Sequence, residues 1–298
     1  ASVFSLRPPI GSTRPRSVIS PVIARSLRAG TRSSADASAV AIVIPADAVQ
    51  SGPKGSFVYV VKPDSSAEMR SVRSAIADSR EGWGKAVELL GGMKAFVSRG
   101  EVVVLKPNIG WDRTPEQAAN TDPEFVVAVA EMCLAAGAKS VRVFDRTCND
   151  PRRCYVNSGI KDAVERFARQ IRVEDAVRIY HVEDRKFVRT AIPTPLVLPE
   201  WDLYRDALEA DVLINIPIAK HHSLARLSLG IKNLFGLAAN PPRLHSNLGQ
   251  NAADLLSLLR PTLTVVDAVR ILTNHGPTGG SLDDVKPTNL VIATHDPV

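Results

Sequence analysis

The chain has 298 residues, 45% hydrophobic and 23% charged, with 37 Lys and Arg against 31 Asp and Glu, a net charge of +6. These values exclude a collagen-like or wholly disordered chain and leave room for a sizeable core in one large domain or two smaller ones. The excess charge is local. Residues 1–35 hold six arginines and no acid, which leaves 31 basic and 31 acidic residues in 36–298, so the charge gives no reason to expect a nucleic-acid partner.

Taken in chain order, residues 1–38 form an Arg- and Ser-rich leader without apolar periodicity, the composition of a disordered segment. Organellar transit peptides share that composition, and a secretory reading takes Ala39–Pro45 as an apolar core before a small-residue cleavage site at 46–48. The runs 40–44 and 57–61 are β-rich and flank the turn cluster Gly52-Pro53-Lys54-Gly55, so they read as a hairpin within a β-rich piece over 39–75. No run reaches the roughly 18 apolar residues of a membrane-spanning helix.

From residue 80 to 298 strands alternate with helices, the pattern of a layered α/β/α domain with a mostly parallel or mixed sheet. Helices are expected over 83–97, from a cap at Thr121 to Gly137, and near 160–168, 202–209 and 250–259. Strands are expected at 102–106, 140–144, 177–182, 187–191, 211–216, 263–267 and 289–293. Of three cysteines, Cys133 suits a helix core, while Cys148 and Cys154 read as ordinary loop thiols.

Open α/β sheets place ligands at strand C-termini, and the unusual polar residues fall there. Lys106, Asn108, Asp112 and Arg113 follow one strand; Asp145, Arg146, Asn149 and Arg153 follow another; Lys220, His221 and His222 follow a third. Asp267 ends a fourth and is followed by the loop of Gly279 and Gly280, while Lys232 and Asn233 add further polar groups. Lysine and arginine in such numbers suit a small anionic ligand. Lys106, Asp145, Lys220, His221 and His222 are the catalytic candidates: Lys106 and Lys220 to hold the anion, His221 or His222 to transfer a proton beside a carbonyl, and Asp145 or Asp267 to orient it or hold a metal. Neighbouring histidines diverge from most backbones, so only one of His221 and His222 is expected at the site. A divalent metal held by His222, His245 and Asp267 is a further expectation. The Gly276–Gly280 stretch lacks P-loop spacing.

Two resemblances extend this reading. IPADAVQSGPKGSFVYVVKPDSSAEMRSVR (44–73) resembles the membrane-proximal part of periplasmic adaptor (membrane fusion) subunits of RND efflux pumps, whose lipoyl and helical-hairpin parts have no counterpart here. A much longer stretch resembles the DUF362 family, a domain of unknown function. It is carried by LGGMKAFVSRGEVVVLKPNIGWDRTPEQAANTDPE (90–124), AGAKSVRVFDRTCNDPRRCYVNSGI (136–160), ADVLINIPIAKHHSLARLSLGIKNLFGL (210–237), RLHSNLGQNAADL (243–255), RPTLTVVDAVRILTNHGPTGG (260–280) and VIATHDPV (291–298). That resemblance implies redox or iron–sulfur association for members carrying extra cysteine-rich segments; with no such run here, no cluster is expected in this chain. It also implies export for members with a twin-arginine leader, leaving periplasmic and cytoplasmic placement both open, and a further helix after Asp296-Pro297-Val298. The expected function is an enzyme acting on a small anion, or a non-catalytic exported protein that carries a ligand or metal.

Overall fold

A computed structural model describes residues 50–52, 55–61, 67–71 and 80–295, with side chains from residue 82. The leader, the run at 40–44 and the closing 296–298 lie outside the described residues. Strands β1 (Gln50–Gly52), β2 (Gly55–Val61) and β3 (Ala67–Ser71) make a three-stranded antiparallel sheet. Gly52 pairs with Gly55 at the two ends of the expected cluster, and the described strand ahead of them begins at Gln50.

Helix α1 (Arg80–Glu88) ends well before residue 97. Gly91 and Gly92 both take positive φ, where the chain turns back and only a short 3-10 turn, Met93–Ala95, follows. The central sheet then begins with β4 (Val102–Pro107), four of whose residues are Val or Leu. Helix α2 (Pro123–Ala136) crosses back along one sheet face. Its cap is Asp122, not Thr121: the Asp122 carboxylate accepts from the amides of Glu124 and Phe125, Pro123 occupies the first turn, and Gly137 closes the helix at φ 103°. The Thr121 hydroxyl instead donates to the Ile216 carbonyl.

Strand β5 (Ser140–Val143) follows, then α3 (Pro151–Asn157), capped by Asp150, and α4 (Ile160–Gln170). Helix α4 buries Ile160, Ala163, Val164, Phe167 and Ala168, one helical stripe. Beyond β6 (Val177–Ile179), β7 (Phe187–Ala191) and β8 (Glu200–Tyr204) form a separate hairpin. The expected helix at 202–209 therefore shrinks to one turn, Arg205–Leu208, because residues 200–204 pair with β7. Strands β9 (Val212–Ile216), β10 (Ile218–His222) and β11 (Arg226–Ser228) come next. Helix α5 (Leu248–Leu258) leads to β12 (Leu263–Leu272) and β13 (Val285–Thr294).

In the sheet, β6, β5, β4, β9 and β12 run parallel in that spatial order. Strand β10 continues past β9 along β12 and carries β11 antiparallel on its far side; β13 pairs antiparallel with β12. This is the expected α/β architecture with a mostly parallel sheet. One core lies between the sheet and α1, α2 and α4, and receives Val103, Leu105, Val141, Ile214 and Val265. The second receives Val104, Phe144 and Leu213, together with Leu234, Phe235 and Leu255 from the segments covering the opposite face. Among the described residues no helix is long and apolar enough to cross a membrane.

Candidate functional site

Alternation along β4 decides where Lys106 goes. Val103 and Leu105 face the first core and Val104 the second, so Lys106 follows Val104 to the second face. Its ammonium meets three oxygens: Asp145 Oδ1 at 2.7 Å, and the Pro107 carbonyl and Asn233 Oδ1 at 2.9 Å each. Both charged side chains are nearly inaccessible, at 1% and 2%. Asp145 leaves β5 on the adjacent strand end, and its Oδ2 accepts from the Ile109 amide at 2.7 Å. Its own amide donates to the Tyr155 hydroxyl at 2.9 Å, which fixes the backbone there. Asp145 Oδ1 receives no directed hydrogen bond besides this charge contact. Burial pushes the Lys106 ammonium down and the Asp145 carboxyl up, and the pairing opposes both shifts. Three oxygens around one nitrogen and an amide on the carboxylate favour the ionised pair.

A chain of amides extends from this pair. Asn233 Nδ2 donates to the Lys106 carbonyl and to Asn215 Oδ1, and Asn215 Nδ2 donates to the Gly230 carbonyl. Asn108 Nδ2 donates to Asn233 Oδ1 at 3.0 Å, which leaves Asn108 Oδ1 to face Lys220 Nζ at 3.1 Å. Lys220 is 2% exposed; its second partner is the Ala119 carbonyl. Burial pushes its amine down to about 7, with Lys232 and Lys106 adding to the fall and Cys148 and Asp145 opposing it.

Strand β10 buries Ile218, Lys220 and His222 on one side and turns Ala219 and His221 to the other. The two histidines thus part. His221 Nδ1 accepts from the Gly276 amide. His222 reaches the cavity, where its Nδ1 accepts from the amides of Leu224 and Ala225 at 3.2 Å. That places its proton on Nε2. His245, 6.2 Å away between ring centroids, has Nδ1 2.8 Å from the Pro241 carbonyl, so Nδ1 donates and Nε2 keeps a lone pair. Burial pushes His222 down to about 4, and it also lowers His245, so both rings are neutral near pH 7.

These groups line a cavity of about 280 Å³ shared by Lys106, Asn108, Asp145, Arg146, Lys220, His222, Lys232, Asn233 and His245. Cys148 and Phe235 complete part of its wall. Lys232 holds its ammonium 4.6 Å from the centre of the Phe235 ring, and burial pushes it down to about 8. Cys148 has its thiol pushed up by burial, so it is not a ready thiolate. Four basic side chains thus face one carboxylate, an electropositive enclosure that suits an anion.

Other candidates stand elsewhere. Asp112 binds Arg153 and Asn157, its amide meets Asn149 Oδ1, and together they pin α3. Arg113 donates to the Thr278 carbonyl and Gly279 packs on Leu272; Arg113, Gly279 and Gly280 do not line the cavity, which their loop meets at Pro277. Asp267 is a correction. Strand β12 runs on to Leu272, so Asp267 is mid-strand, and its carboxylate accepts from the amides of Asp122 and Val269. It does not join His222 and His245, and no group of three or more His, Cys, Asp or Glu among the described residues is arranged to hold a metal.

Sequence reasoning overlooked Gly236, Tyr155 and the cavity position of Cys148. A Cβ on Gly236 would sit 1.9 Å from Asp145 Oδ1 and 2.9 Å from Lys106 Nζ, so the backbone is pressed onto the ion pair. Nothing in one sequence marks that glycine from any other turn glycine.

The comparisons with known proteins concern this same region. The chain is 28% identical over 219 residues to the "Thylakoid-associated protein sll1697" of Synechocystis sp., covering 70% of this chain and 64% of that relative, so it spans just under two thirds of the curated relative's length. Among solved structures it matches the lactate racemase apoprotein from Thermoanaerobacterium thermosaccharolyticum at a TM-score of 0.43 and 12% identity, covering 80% of this chain and 59% of that one. The resemblance of 44–73 to efflux adaptors is not shown. The match to the domain of unknown function DUF362 extends over residues 103–298, and the chain belongs to that family.

Proposed function

We propose that this domain binds a small organic anion in the cavity at the C-terminal ends of β4, β5 and β10, and moves protons on it. The observation that carries the reading is the imbalance of charge: the one lining carboxylate, Asp145, is paired with Lys106, which leaves Arg146 and Lys232 as cations with no other carboxylate in the lining. Lys232 is the anion's main partner, because no carboxylate of the described residues is paired with it and its ammonium is already placed over the Phe235 ring. The volume suits a metabolite of a few carbons. His222 offers an Nε2–H and His245 an Nε2 lone pair, one donor and one acceptor on neighbouring rings, which supports proton handling.

Ligand-observed NMR of the full chain with acetate, propanoate, malonate and inorganic phosphate tests this. At least one should bind, with Lys232→Ala weakening it by about tenfold or more, the size of a lost charge-assisted hydrogen bond. Absence of binding by all four, or binding unaltered in Lys232→Ala, would overturn it.

A further inference from the structure

Two buried lysines stand in one cavity with different surroundings, and the difference is chemical. Lys106 Nζ has three oxygens within 2.9 Å, one of them a carboxylate, which suits the three hydrogens of an ammonium. Lys220 Nζ has two hydrogen-bond partners, Asn108 Oδ1 and the Ala119 carbonyl, both uncharged. A neutral amine has two hydrogens to give and one lone pair to keep. The orientation of Asn108 is set independently, since its Nδ2 donates to Asn233 Oδ1 and only Oδ1 is left for Lys220.

Resting on the anion-binding reading above, we infer that Lys220 is a nucleophile that condenses with the carbonyl carbon of a small 2-oxo acid to form an imine. The carboxylate of such a substrate meets Lys232 while its carbonyl reaches Lys220, both groups lining the same wall space. The step balances without a further reagent. The Nζ lone pair forms the C–N bond and the carbonyl π pair moves to oxygen, which takes one N–H proton to give the carbinolamine. The C–O bond then breaks, and the oxygen leaves as water with the second N–H proton as C=N forms. The lone pair is available near neutral pH because burial holds the amine at about 7, where an ordinary lysine remains protonated.

The experiment is reductive trapping. The full chain is incubated near pH 7 with pyruvate and sodium cyanoborohydride, and the product is read by intact mass and peptide mapping. The expected result is one pyruvate-derived adduct per chain at Lys220, absent in Lys220→Arg and retained in Lys139→Arg, an exposed lysine. Competition by propanoate, which carries the carboxylate but no carbonyl, should slow labelling. If propanoate binds by NMR and no adduct forms, the nucleophile is overturned while the anion site stands. An adduct on Lys106 or Lys232, or spread over exposed lysines, overturns the assignment to Lys220. If pyruvate and propanoate do not bind while malonate or phosphate does, the 2-oxo-acid assignment falls and the anion site stands; if none of pyruvate, acetate, propanoate, malonate and phosphate binds, both readings fall.

Discussion

Gly236 and Asp145 are in such close contact that a single methyl group cannot be added between them: a Cβ on Gly236 would lie 1.9 Å from the carboxylate oxygen that faces Lys106. The second face of the sheet is therefore closed by backbone, and the ion pair is sealed from above by the segment that also carries Lys232 and Asn233.

Gly236→Ala should lower stability by about 1–3 kcal/mol through overpacking and weaken anion binding. Gly249, in helix α5, has nothing within 4 Å of a Cβ, so Gly249→Ala should raise stability by about 0.5–1 kcal/mol. Urea unfolding of the two variants reads the opposite signs directly.

Removing one member of the buried pair leaves the other charge without a partner. Lys106→Met alone should cost about 3–5 kcal/mol, and adding Asp145→Leu should return part of that loss. A double-mutant cycle by chemical denaturation checks this, and additive losses would deny the pairing.

Asp267 carries a pH signature. Burial pushes its carboxyl up from 3.8 to about 7, with the neighbouring Asp122 charge adding to the rise. The folded chain then holds this proton more tightly than the unfolded chain. Its contribution is fully present below about pH 3.8 and is lost as the pH rises through about 7. Unfolding free energies of wild type and Asp267→Asn, taken across that window, should differ most in slope there, with the wild type losing ground as pH rises.

Asp254 organises a loop rather than a site. Its buried carboxylate accepts from the amides of Leu196, Val197 and Leu198. Asp254→Ala leaves those donors unpaired, at a cost of about 1–3 kcal/mol, and limited proteolysis should cut first near the exposed Leu196 and Val197.

Much of the framework was legible because apolar runs and caps are local signals. Val102–Leu105 reads as a buried strand in any context, and Gly137 as a helix end. The failures were tertiary. Residues 202–204 look helical until β7 supplies a pairing edge. Ala219-Lys220-His221-His222 lacks the β-branched residues of a strand, yet β12 and β11 hold it as one. Strand-end logic brought Lys106, Asp145, Lys220 and His222 to one cavity but misplaced Asp267, since β13 extends β12 by several residues beyond it. Gly236 was invisible because its importance lies in what stands opposite, 91 residues away in the chain.

The bonds that shape the cavity join distant parts of the chain: Lys106 to Asn233 across 127 residues, Lys220 to Ala119 across 101. Closing such loops is entropically costly until the sheet is in place. The cavity thus depends on the assembled fold, since its lining is drawn from Lys106 through Pro277. Whatever occupies it binds the finished fold alone and raises the melting temperature by mass action, so thermal shift against a panel of metabolites becomes a direct search for the natural ligand.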